Sequence, residues 1–270
     1  MKLDVLLSLI LFFVSLVTLF LYEKSALKVK SLFGENKFRT RDAVLIVLLM
    51  GIMVTVIAFI PQLAIMALIL FVYVLFLFLF TYVLSPKWYL AILPPTLFII
   101  LYFFYWNIYL IDIFAILFVV SISLFLGRLF TWKSTIAFVT LLVIMDIIQV
   151  FVTQNMVVSA QKMLDLRLPT MIIVPTFPVK GEIFLGLGDI LLMNLLSIQT
   201  LRKYGKRFGL ASCMSIAIVF FIAETVIITY ALGVFPATVM VASGWVIVLV
   251  TRYLYEKLYN GSSLNTTEKD

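Results

Sequence analysis

Residues 182–200 read EIFLGLGDILLMNLLSIQT, an apolar run of membrane-span length with one acid in its interior, Asp189, behind Gly186-Leu187-Gly188. An ionisable side chain at that depth costs roughly 2.5 to 3.5 kcal/mol on insertion scales, so it calls for a partner or a function. The preceding run, 135–153 (TIAFVTLLVIMDIIQVFVT), supplies Asp146. Consecutive spans run in opposite directions. Asp146 stands seven residues before Thr153 and Asp189 seven residues after Glu182. At about 1.5 Å per residue, both acids then lie roughly 10 Å below the same membrane surface.

Hydrophobic residues make up 64% of the 270-residue chain and charged residues only 12%, in alternating long and short blocks. That composition implies an all-α polytopic membrane protein. The net charge of +7 sits in short connectors rather than on one helix face, so no nucleic-acid partner is expected. There is no histidine, and the one cysteine, Cys213, lies in an apolar run. Intramolecular disulfides, Ser-His and Cys-His nucleophile pairs and the His-Glu-x-x-His zinc site are therefore excluded, and neither metal nor cofactor is expected. Any chemistry falls to carboxylates.

Nine spans follow from the apolar runs: 3–22, 43–60, 63–84, 88–107, 108–127, 135–153, 182–200, 209–230 and 231–254. The first is read as a retained span, since it exceeds a signal-peptide h-region and no small-x-small site follows it. One integrated membrane domain results, with five helices in 1–134, a catalytic part in 135–254 and a polar tail in 255–270. Residues 23–42 form the longest basic connector. Pro94-Pro95 interrupts the first half of the fourth span. Of the 20 Lys and Arg, 16 fall on the side that is cytoplasmic if the N-terminus is outside and the C-terminus inside.

Asp146, Gln149 and Thr153 share a helical stripe at i, i+3 and i+7, and Glu182 and Asp189 share another. The two stripes are expected to face one another. Two carboxyls at close range cannot both ionise, so they share a proton; one activates water while the other polarises a carbonyl. Gly186 and Gly188, lacking Cβ atoms, are expected to admit a close backbone and to weaken the helix before Asp189. Pro236-Ala237-Thr238 opens the ninth span near the same surface. Asp112 reads as an interfacial acid and Glu224 as a structural one. Residues 155–168 have the spacing of an interfacial helix, and Met171-Ile172-Ile173-Val174 is β-prone and bounded by prolines, suited to present a strand edge to an unwound substrate.

An aspartate in the sixth span, Gly-x-Gly-Asp in the seventh and a Pro-Ala element at the ninth occur in the order that characterises the GxGD intramembrane aspartyl proteases. The chain resembles that group, which comprises presenilin and signal peptide peptidase. Asp146-Ile147-Ile148-Gln149-Val150-Phe151, with Asn155-Met156-Val157-Val158, is more similar to the signal peptide peptidase branch, as is an external N-terminus. The specific likeness covers residues 135–250. It implies a presenilin-like bundle, Asp146 and Asp189 as catalytic residues, and Gly186, Gly188, Pro236, Ala237 and Thr238 as residues shaping the site. It also implies transmembrane helical peptides or proteins as substrates, within a lipid bilayer. Met145 stands where the family has tyrosine, and Thr238 where it has leucine.

Two other readings use the same acids. A prepilin-type peptidase also carries Gly-x-Gly-Asp, but with its first aspartate early in a shorter bundle. A cation- or proton-coupled transporter would use Asp146 and Asp189 as a binding pair without cleaving anything.

Overall fold

A computed structural model describes residues 5–33, 37–57, 59–85, 87–153, 155–175, 181–230 and 235–264. Lys2, Pro86, Gln154, Pro178, Lys180 and the tail residues 265–270 lie outside the described residues, as do 231–234 at the expected start of the ninth span. The helices are α1 (Leu6–Phe33), α2 (Thr40–Ile57), α3 (Gln62–Leu84), α4 (Leu93–Phe104), α5 (Ile108–Leu129), α6 (Trp132–Ile148), α7 (Asn155–Asp165), α8 (Leu187–Tyr204), α9 (Lys206–Tyr230) and α10 (Ala237–Leu264). Seven of these are long and apolar enough to cross a membrane. The fourth expected span is broken: Trp88–Ile92 is a 3-10 turn, and α4 restarts with its prolines in the first turn, where their missing N–H groups leave no helical bond unmade.

One feature departs from an all-helical chain. Strands β1 (Met171–Pro175) and β2 (Glu182–Gly186) pair antiparallel, with Met171 opposite Gly186 and Pro175 opposite Glu182. The expected seventh span is therefore a strand followed by a helix. Glu182 and Asp189 share no helical stripe, and helical rise does not give Asp189's depth. The cause is local: Gly186 and Gly188 weaken helix across the junction, and a partner strand lies within reach. The basic connector is also shorter than expected, because 23–33 contains no breaker and α1 runs on to Phe33.

Helix α8 is the hub. It packs against α1, α5, α6, α9 and α10, and from Ile190 to Thr200 only Leu191 is not buried. Three of its polar side chains, Asn194, Gln199 and Thr200, find partners on neighbouring helices, as an interior without water requires. Asn194 accepts from Ser15 Oγ on α1 at 2.7 Å and donates to Ser123 Oγ on α5 at 3.1 Å. Gln199 Nε2 donates to the carbonyls of Gly127 (2.9 Å) and Phe130 (3.1 Å) at the end of α5, which Arg202 also binds at 2.6 and 2.8 Å. Trp245 Nε1 on α10 donates to Thr200 Oγ1 at 2.8 Å.

The connector between α6 and β1 is held from three sides. Ser159 Oγ on α7 donates to the Val54 carbonyl at 2.8 Å, and Lys162 Nζ reaches the Ile57 and Ile60 carbonyls, so α7 caps the end of α2. The chain then leaves α7 by a Schellman turn with Arg167 at φ 51°: Leu168 N–H bonds the Met163 carbonyl and Arg167 N–H the Leu164 carbonyl. Tyr102 Oη, Trp106 Nε1 and Tyr73 Oη donate to the carbonyls of Leu166, Arg167 and Pro169.

Helix α10 is positioned by close approach to α9. A Cβ on Gly244 would lie 2.6 Å from Ile216 Cα, and Ser215 Oγ bonds the Gly244 carbonyl at 2.8 Å. Gly244→Ala is expected to destabilise the fold by about 1–3 kcal/mol through overpacking against backbone. The check is a lowered melting temperature of the detergent-solubilised protein.

Candidate active site

Asp146 lies in the last turn of α6, immediately before a π turn at Gln149–Thr153. That change of helical phase splits the expected polar stripe. Gln149 Nε2 turns to the Gly51 carbonyl on α2 at 3.4 Å, and the Met145 side chain rests against Gly51, while Asp146 points toward α10. Asp146, Gln149 and Thr153 thus do not form one face toward α8. Met145 falls on the α2 side of the helix.

Helix α8 starts at Leu187, with Gly186 as its extended N-cap (φ −64°, ψ 141°), so Asp189 occupies the third helical position. The Leu187 N–H bonds the Thr170 carbonyl at 3.1 Å, which extends the hairpin's hydrogen bonding into the first residue of the helix. A Cβ on Gly186 would come 3.4 Å from Asp189 Oδ2, and a Cβ on Gly188 would meet nothing within 4 Å. No backbone presses on either glycine, contrary to the close approach expected there. Gly188 borders open space one residue from the acid.

Pro236 immediately precedes α10, and Ala237 and Thr238 lie in its first turn. Thr238 Oγ1 donates to Asp146 Oδ2 at 2.6 Å, with a further contact from the Thr238 backbone N–H. That N–H is one of the four at a helix start with no partner inside the helix, so Asp146 caps α10 from another helix. Asp146, Asp189 and Thr238 are all buried, and Asp189 feels the charge of Asp146. The structure therefore brings Asp146, Asp189 and Thr238 together where α6, α8 and α10 meet. Among the described residues none donates a hydrogen bond to the Asp189 carboxyl.

The structure also gives a role to a residue that sequence reasoning set aside. Asp112 on α5 accepts from the backbone N–H of Ile173 at 2.8 Å. It thus holds the edge of β1 that β2 does not use, next to α5, which packs on that strand. The strand edge expected to be open on Met171–Val174 is occupied on both sides, by β2 and by Asp112. Only a β-strand assignment for 171–175 would have shown that its outer N–H groups needed an acceptor. Glu224 is buried on α9 and is not among the hydrogen-bond partners of either aspartate.

A family model described as signal-peptide peptidase, presenilin aspartyl protease matches residues 35–206. The chain belongs to that family. The matched segment contains Asp146 and the Gly186–Asp189 element and ends before Pro236. No protein of curated function matches the chain. Membership makes it an intramembrane aspartyl protease in kind, and the seven long apolar helices make it an integral, multi-pass membrane protein.

Asp112→Ala should free the Ile173 amide, and Asp112→Asn, which keeps an acceptor oxygen, should largely preserve its bond. Hydrogen exchange at that amide is expected to rise by about tenfold in the alanine variant, as befits the loss of one charge-assisted hydrogen bond.

Proposed function

We propose that the protein hydrolyses peptide bonds within transmembrane helices, of membrane proteins or signal-peptide remnants, using Asp146 and Asp189 as a catalytic pair. The observation that carries this reading is two buried carboxyls at the junction of α6, α8 and α10, with Asp189 in the field of Asp146, in a chain of an aspartyl protease family. Neither acid has a basic partner among the described residues' ion pairs, as a purely structural salt bridge would require.

In this mechanism a water between the carboxyls loses a proton to the ionised aspartate while its oxygen adds to the scissile carbonyl carbon. The protonated aspartate gives its proton to the carbonyl oxygen, so the tetrahedral intermediate is neutral. Collapse re-forms the carbonyl, breaks the C–N bond and returns a proton to the departing amine. The pair titrates as a unit. A helix shields its own peptide bonds, so the substrate must be extended. With β1 covered on both edges, the outer edge of β2 is the place for an added strand, which would end beside the open space at Gly188. Gly186, Gly188, Pro236, Ala237 and Thr238 shape that space.

Nine crossings fit this arrangement: the seven long helices, the 3-10 turn with α4, and β2 with α8, leaving α7 at the interface. The orientation that puts most Lys and Arg inside has an external N-terminus and a cytoplasmic C-terminus, with both acids nearer the outer face. A transporter would need the same acids but no scissile bond. The Gly-x-Gly-Asp of a prepilin-type peptidase would sit in a smaller bundle.

In liposomes containing a labelled transmembrane peptide, Asp146→Ala and Asp189→Ala should each lower the cleavage rate by about 10²–10⁴-fold without loss of fold. Wild-type cleavage by either variant would overturn the pair's assignment, and ion flux without cleavage would favour the transporter. For orientation, an impermeant thiol reagent should label Gln161→Cys from outside and reach Lys87→Cys only after permeabilisation, against a low background from buried Cys213.

A further inference from the structure

The two carboxyls are not equivalent. Both stand at a helix start, Asp189 in the first turn of α8 and Asp146 against that of α10, so the helix ends do not distinguish them; the difference is that Asp146 accepts from Thr238 Oγ1 at 2.6 Å. Asp189 is equally buried, yet among the described residues no donor is directed at its carboxyl. Hydrogen bonds donated to a carboxylate favour its charged form, whereas burial without donors favours the neutral one. The titratable group facing Asp146 from α8 is Asp189 itself. On the α2 side the helix presents Met145 and the uncharged Gln149, which meet Gly51, and from α10 the group facing Asp146 is Thr238. Nothing cationic among these competes with the hydroxyl for the carboxylate.

We infer that Thr238 is a positioning residue that fixes the division of labour: its hydroxyl holds Asp146 as the charged base that takes the proton from water, leaving Asp189 as the proton donor to the carbonyl oxygen. This rests on the proposed aspartate-pair hydrolysis. The bond also fixes the carboxyl's orientation, since Oδ2 is held by the Thr238 hydroxyl.

Two substitutions separate the hydroxyl from its shape. Thr238→Val keeps the branched side chain and removes the donor; Thr238→Ser keeps the donor and removes the methyl group. The valine variant should lose about tenfold to a hundredfold in kcat, the worth of one hydrogen bond to a charged group, with KM within about twofold of wild type. The serine variant should recover most of the loss. Equal kcat in wild type and Thr238→Val, or equal losses in both variants, would overturn the inference.

Infrared spectroscopy gives a readout that does not depend on turnover. Near neutral pH, in wild-type-minus-variant difference spectra that cancel the buried Glu224, the carbonyl stretch of a protonated carboxyl should be unchanged in Asp146→Ala, which leaves Asp189, and lost in Asp189→Ala, which leaves Asp146 beside Thr238. The reverse pattern, or the same band in both variants, would refute the assignment of roles. Cleavage by Asp146→Ala at the wild-type rate would instead refute the hydrolase reading itself, so the two failures are told apart.

Discussion

The fold depends on keeping a polar helix out of lipid. Helix α8 carries Asp189, Asn194, Ser197, Gln199, Thr200 and Arg202 within a length that would cross a bilayer, and such a helix is stable only when other helices supply both the cover and the hydrogen-bond partners. Five helices do so. Ser15, Ser123, the carbonyls at the end of α5 and Trp245 each satisfy a polar group on it. The same enclosure holds the first turn of α8, and with it Asp189, against α6 and α10.

A second constraint acts at the connector between α7 and β1. The carbonyls of 166–169 accept from Tyr102, Trp106 and Tyr73, and the Ile173 N–H is taken by Asp112. Backbone groups that leave regular helix near a membrane need such partners, and α3, α4 and α5 supply them. The first five helices are thus a scaffold for the connector as well as a membrane anchor. Their aromatic side chains serve as donors at one end and as packing along the rest, as in the stack of Tyr73 between Phe98 and Phe118.

Much of this was legible in the residues. Long apolar runs, separated by short polar connectors, gave most helices of the bundle within a few positions, although α1 and α10 run 11 and 10 residues past the ends expected at 22 and 254, and two acids in otherwise apolar runs marked the junction of α6, α8 and α10. The strand before Asp189 was hidden because EIFLG is apolar and short, and such a run fits a buried helix or a strand equally well until its partner is known. The π turn after Asp146 leaves no mark in hydropathy, so the phase of Gln149 was misjudged. The partners of Asp112 and Thr238 lie 61 and 92 positions away, a separation that periodicity cannot bridge. Alpha-helix propensity without a breaker explains why α1 outruns its apolar segment.

The passage from β2 to α8 contains no loop. Leu187 is at once the residue whose N–H continues the ladder and the first residue of the helix, two positions ahead of Asp189. A tug or twist applied along the hairpin therefore has no slack segment in which to dissipate and reaches the carboxyl through two virtual bonds. In such an arrangement the grip on a guest chain and the aim of the acid are mechanically one adjustment, so a poorly seated guest also meets a misaligned acid.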